Sequence, residues 1–171
     1  MSYRRDLFKV QVFMEARGIS DVEDVTKEDV EAYVKSMEDK KFNVLSPEEY
    51  LANNPFMQHN HMYITEIGTE TSEIRMEVHP DGLNIMGQVH GGLLYSLADV
   101  VTGLTARADG RKYVTQSAHV NFIGNVSSGL IIAKGDLVKR GRSIVIVRGI
   151  VTDENGKLLL ETTTNMFCLS K

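Results

Sequence analysis

Asn84 to Gly103 reads NIMGQVHGGLLYSLADVVTG. It opens as a loop, passes through Gly91-Gly92 and continues with apolar residues at helical spacing. Between Val89 and Ala106 the only acidic or basic side chain besides His90 is Asp99. A helix beginning near Gly91 places Leu93, Leu94, Leu97, Val100, Val101, Leu104 and Ala108 in one stripe. Tyr95, Ala98, Asp99, Thr102 and Ala106 fall on the other side, where a solvated face would carry Lys, Glu or Arg. That face is therefore expected to be covered, and a second copy of the chain is the natural cover. Burying an unpaired carboxylate costs several kcal/mol. Asp99 then reads either as half of an ion pair with a distant cation or as an acid, base or nucleophile in a shielded site.

The residues around it favour chemistry. His90-Gly91-Gly92 stands at the expected helix start, where N–H groups are free and the helix dipole is positive. Glycine lets a ligand approach the backbone closely. Such a place polarises a carbonyl and stabilises an oxyanion, although a tight turn alone also asks for glycine. Eight residues separate Gly91 from Asp99, so about 12 Å of helix axis lies between them. Reacting groups must come within roughly 3–3.5 Å. One helix cannot bring both to one carbonyl; two helices related by a two-fold axis can.

Outward from this segment the chain divides in two. Residues 1–45 form a charged, helical extension, with Leu7, Val10, Phe13 and Met14 at helical spacing. A second helix starts at Thr26, with Asp29 at N3 and a Val25–Val30 staple, and continues through Tyr33, Val34 and Met37. A hairpin this short cannot bury both stripes alone and is expected to dock on the main domain or a neighbouring subunit. Residues 46–171 form the main domain. Ser46-Pro47-Glu48-Glu49 marks a further helix start. Strands are expected near 61–67 and 70–79, then four after the central helix, separated by the turn signals Gly124-Asn125, Gly141 and Asp153–Gly156. A long helix among antiparallel strands is an α+β arrangement.

Composition sets bounds. The chain has 171 residues, 42% of them hydrophobic, and a formal net charge of −4. That balance leaves no electrostatic footprint for nucleic acid. One cysteine, Cys168, allows no intrachain disulfide, and no segment approaches a membrane span, so a cytoplasmic protein is expected.

Asn84, six residues before His90-Gly91-Gly92, and Asp99, nine after His90, resemble the signature of hotdog-fold acyl-CoA thioesterases of the phenylacetate-pathway group. Asn121-Phe122, Gly129, Arg140-Gly141-Arg142 and Asp153–Gly156 extend the likeness over residues 46 to 170. The resemblance implies a helix wrapped by an antiparallel sheet, dimers that pair into tetramers, and hydrolysis of an acyl-CoA. It implies Asp99 as nucleophile or general base and the Gly91 N–H as oxyanion donor. His90 would shape that end of the site, Asn84 would orient water, and Ser117 would assist from the same subunit as Asp99. Many relatives carry Pro where this chain has Asn125.

Lys139, Arg140 and Arg142 are candidates for CoA phosphates, though a solvated turn explains them nearly as well. Tyr95, Met86, Phe56 and Met57 fit an acyl pocket or ordinary core. A thioester needs little leaving-group protonation, so one carboxylate and an oxyanion site suffice, with no cofactor. His59-Asn60-His61 has no nearby Cys or acidic cluster, so no metal is expected. Cys168 reads as a small strand residue. The rival reading is a non-catalytic acyl-CoA sensor fused to a DNA-binding segment. Against it, residues 1–45 hold ten Asp or Glu against eight Lys or Arg. A hotdog dehydratase would need a catalytic His motif that the sequence lacks.

Overall fold

The computed structural model describes residues 11, 14–38 and 45–169. The chain divides into two compact units, Met1–Phe42 and Asn43–Lys171. In the first, a 3-10 turn at Val22–Asp24 precedes helix α1 (Lys27–Glu38). Its start is the capping box read from the sequence. The Asp29 N–H donates to Thr26 Oγ1 (3.2 Å), and the Thr26 N–H donates to Asp29 Oδ2 (3.1 Å). The Thr26 hydroxyl donates to Asp29 Oδ2 at 2.6 Å, and this bond, the Thr26 N–H and Arg17 Nε at 3.0 Å hold the Asp29 carboxyl below its usual range. Met14 is buried, whereas Leu7, Val10 and Phe13 lie outside the described residues, as do the side chains of Val34 and Met37.

The second unit opens with α2 (Pro47–Ala52) and α3 (Pro55–His59), capped by Ser46 and Asn54. Then come β1 (Met62–Glu66), β2 (Thr71–Glu77), the central helix α4 (Gly91–Arg107), and β3 (Tyr113–Phe122), β4 (Leu130–Arg140), β5 (Ile144–Asp153) and β6 (Leu158–Cys168). All six strands form one antiparallel sheet in the order β1-β2-β4-β5-β6-β3. A long helix wrapped by this sheet is the architecture that the resemblance implied.

Period-2 burial runs along β6: Leu160, Thr162, Thr164, Met166 and Cys168 are buried, with Thr163 and Phe167 exposed between them. The core joins Leu94, Leu97, Ala98, Val101 and Leu104 of α4 to Ile74, Met76, Ile131, Ala133, Val151 and Leu160 of the sheet. Burying each Leu fully is worth about 1.5–3 kcal/mol.

The buried face of α4 is wider than its apolar stripe predicts. Ala98, Thr102 and Ala106, expected on the face awaiting another copy, are buried by the chain's own sheet. Two glycines paired across β4 and β5 allow this. A Cβ at Gly135 would lie 2.6 Å from Thr105 Oγ1 and 2.9 Å from the Val101 carbonyl oxygen; one at Gly149 would lie 3.0 Å from Thr102 Cγ2. The helix therefore sits directly on the strand backbone, and Thr105 Oγ1 donates to the Gly135 carbonyl at 3.1 Å. Tyr95 and Asp99 are left only partly buried.

Candidate active site

Three of the expected site residues stand together at the start of α4. His90 is the N-cap, and its Nδ1 accepts from the Gly92 N–H at 3.0 Å. A ring that accepts at Nδ1 carries its proton on Nε2. The His90 carbonyl accepts from Leu93 and Leu94 (2.9 and 3.1 Å). Three of the four first-turn N–H groups are thus satisfied. Among the described residues, that of Gly91 has no acceptor. A Cβ at Gly91 would touch the Phe122 ring at 3.4 Å, so glycine keeps this donor approachable beside an aromatic wall.

Asn84 opens the loop leading to the helix. Its Oδ1 accepts from the N–H groups of Met86 (2.8 Å) and Gln88 (3.2 Å), and a bridge between Leu83 and Val89 closes the loop. Ile85 and Met86 at its tip are almost wholly exposed, so within one chain Met86 lines no acyl pocket. Met57 is core, and Phe56 is half-exposed. Asn125 has a clear role here. Its Nδ2 donates to the Val89 carbonyl at 2.9 Å and its Oδ1 accepts from Val126, which ties the loop after β3 to the helix start. Proline offers neither group.

Asp99 lies two turns further along α4. Among the described residues no cation pairs with it. Its partner is a hydroxyl: Thr115 Oγ1 donates to Asp99 Oδ1 at 2.8 Å. One turn before Asp99, burial and then the Asp99 charge hold the Tyr95 phenol above its usual pKa of 10.

The hydroxyl on Asp99 comes from Thr115 and not from Ser117, which instead accepts from Asn165 Nδ2 at 2.9 Å. The cause is a bulge. Thr115 pairs with Met166 and Ser117 with Asn165, so Gln116 is an extra residue in β3. The bulge breaks the alternation, so that Thr115 faces the helix with Met166 and Ser117 faces away with Asn165. Alternation alone would have put both on one face, and no glycine marks the break.

The basic trio also separates. Arg140 donates to the carbonyls of Thr69 (2.7 Å), Thr105 (3.1 Å) and Ala106 (2.8 Å) and to Asp109 Oδ2 (2.7 Å). It closes the C-terminal end of α4, and the donors of both its Nη atoms are engaged within the chain rather than turned to a phosphate. Lys139 and Arg142 are exposed. Burial raises the Asp109 carboxyl, but hydrogen bonds from Arg111 and Tyr113 and the Arg140 charge outweigh it and hold the pKa below its usual value. Tyr113 moves the other way, to about 12, through burial and then its bond to Asp109. His61, read from sequence beside His59, stands instead with His79 and Asp81 from beyond the far end of β2.

The sequence profile of the thioesterase superfamily matches residues 86–160, from the Asn84 loop into β6. A candidate esterase of Mycobacterium tuberculosis is 23% identical over 120 residues, covering 67% of this chain and 86% of its own. An Asn-to-Asp variant of the phenylacetic acid degradation protein of Thermus thermophilus superposes with a TM-score of 0.65 at 28% identity, over 68% of this chain and all of that one (100%). A hypothetical thioesterase of Streptococcus pneumoniae, solved with coenzyme A, gives 0.61 at 25% identity, over 63% and 88%. That thioesterase was also solved with an Asp and a Thr each replaced by Ala, at positions as far apart in its sequence as Asp99 and Thr115 are here. Among the described residues, no helix of this chain is long and apolar enough to cross a membrane.

Proposed function

We propose that the chain hydrolyses an acyl-CoA thioester to a free acid and CoA. The observation that carries this reading is one spare donor and one cation-free carboxylate on the same uncharged helix: the Gly91 N–H and Asp99 held by Thr115. The thioester carbonyl accepts from the Gly91 N–H, whose position at the positive end of α4 favours the oxyanion. Asp99 takes a proton from the attacking water or attacks the carbonyl itself. Asn84 holds the water through Nδ2, since its Oδ1 is engaged by the loop. Collapse of the tetrahedral adduct breaks the C–S bond and releases the thiolate; where Asp99 is the nucleophile, water then cleaves the mixed anhydride to the free acid and restores the carboxylate. The acyl-CoA assignment is supported by the coenzyme A on the pneumococcal relative, and Lys139 and Arg142 remain available for its phosphates.

The ~12 Å along α4 between Gly91 and Asp99 requires two subunits. In a two-fold dimer, Gly91 and Asn84 of one protomer face Asp99 of its partner. Edge strand β3 suits the contact. Among the described residues it is paired only with β6, and Val114, Phe122 and the adjoining Ile123 are 44%, 59% and 53% exposed. Dimers pairing into tetramers complete the proposal.

The test is complementation. Asn84→Ala and Asp99→Asn are each nearly inactive on a panel of short, long and aryl acyl-CoAs, read by free thiol. Subunit exchange, verified by a mass tag, then places both defects in one site of each mixed dimer and leaves the other intact. With random pairing roughly a quarter of all sites recover. Verified exchange without recovery breaks the shared-site reading. Binding of acyl-CoA by the native protein without turnover replaces the enzyme with a sensor.

A further inference from the structure

We propose that His61, His79 and Asp81 form a binding site for a divalent transition-metal ion of the zinc class. The three side chains each offer a donor atom, and these atoms lie within 4.8 Å of one another. Among the described residues this is the only group of three His, Cys, Asp or Glu side chains that meets in this way. His79 Nδ1 is 3.3 Å from Asp81 Oδ1. A four-coordinate ion with bonds of 2.0–2.1 Å holds its donors roughly 3.3 Å apart. The His61 and His79 rings stack with centroids 4.1 Å apart and planes 18° apart. Both rings are exposed, so a small rotation of each turns the stacked pair into a converging one.

The placement comes from sheet register. His61 immediately precedes β1, and His79 follows shortly after β2. The two strands pair antiparallel with Met62 opposite Met76, so the start of one strand meets the end of the other. His61 adopts φ 55° just past the C-cap of α3, a left-handed slot most often filled by glycine or asparagine. Asp81 follows in the 3-10 turn Pro80–Gly82, for which His79 is the N-cap. His59, Glu77 and Leu93 line the same small cavity.

Two imidazoles and one carboxylate select zinc, nickel, cobalt or copper over magnesium and calcium, which prefer oxygen ligands alone. A bound ion would join the start of β1 to the root of the Asn84 loop, because the Gly82 carbonyl accepts from the His90 N–H at 2.9 Å. The site stands apart from the thioesterase reading, since binding is measured without substrate.

The experiment uses the full chain without a histidine tag, stripped by chelator and titrated calorimetrically with Zn²⁺, with Mg²⁺ as control and Co²⁺ absorption as a report of ligand geometry. One Zn²⁺ binds per chain, Tm rises with Zn²⁺ concentration, and Mg²⁺ gives no saturable binding. His61→Asn, His79→Gln and Asp81→Asn each weaken Zn²⁺ at least tenfold and remain folded by circular dichroism. Asparagine at 61 keeps a residue that tolerates the left-handed backbone. Absence of saturable Zn²⁺ binding by the native chain overturns the proposal. So does an affinity unchanged in His79→Gln and Asp81→Asn.

Discussion

At the C-terminal end of α4, Arg140 bridges the Thr105 and Ala106 carbonyls to Asp109, and Arg107 reaches the Tyr113 carbonyl at 3.0 Å. At the N-terminal end, among the described residues, no charged side chain bonds the first turn, and the Gly91 donor is left over after His90 has satisfied the other three. The ends of a helix present the same problem, a turn of unpaired backbone groups. One end solves it with cations suited to the negative pole of the dipole. The other leaves it open beside glycine, two turns away from the partly exposed Asp99. Under the proposed function, the difference separates an end built for stability from an end built for a ligand. Mutations at the two should therefore separate kcat from Tm.

The largest effect belongs to the open side. Asp99→Asn keeps the shape and the Thr115 contact but removes the base or nucleophile, so kcat falls at least ~100-fold with little change in KM or Tm. Steady-state hydrolysis within a few fold of the native rate would erase the contrast.

The closed end responds in the opposite currency. Arg140→Met removes charge-assisted bonds and costs about 2 kcal/mol by denaturant unfolding, while the folded fraction keeps its kcat. This loss should depend on pH. The depressed Asp109 pKa contributes stability that is present above the unfolded carboxylate value and is lost as pH falls through the lower folded value. The gap between native and Arg140→Met proteins is therefore widest near neutrality and narrows in acid, as pH falls below the ordinary carboxylate value and through the lower folded value of Asp109. A gap that widens in acid contradicts the Asp109–Arg140 pairing.

The smallest effect sharpens the open side. Thr115→Val keeps volume and removes one hydrogen bond to Asp99, a loss of about 1 kcal/mol, so kcat drops roughly tenfold or less. Ser117→Ala, on the other face of β3, serves as the matched control and leaves kcat unchanged.

What could be read before the fold was known follows the range of each signal. The run of uncharged residues from Leu93 to Ala106, broken only by Asp99, is local, and helix and lone carboxylate both came from it. The strand segments were legible from alternation and turn residues. Thr115 was not, because a bulge is a mismatch between two strands and needs Met166 and Asn165 to be seen. Nor was the width of the buried helix face, since Gly135 and Gly149 look like ordinary strand glycines until Thr105 and Thr102 sit on them. The role of Arg140 and the company kept by His61 depend on groups far away in sequence. Each is a tertiary fact with no periodicity to announce it.

Sheet order gives the site a place in time. β3 is third in the chain but last in the sheet, and among the described residues its sole strand neighbour is β6. On a ribosome, Asp99 emerges first and Thr115 soon after. β3 then waits through all of β4 and β5 before the strand that holds it is made. Such long-range pairing is slow and leaves an apolar edge open to foreign strands. The hydroxyl that steadies Asp99 is thus among the last parts of the molecule to arrive, and a nascent chain short of β6 carries the carboxylate without its support.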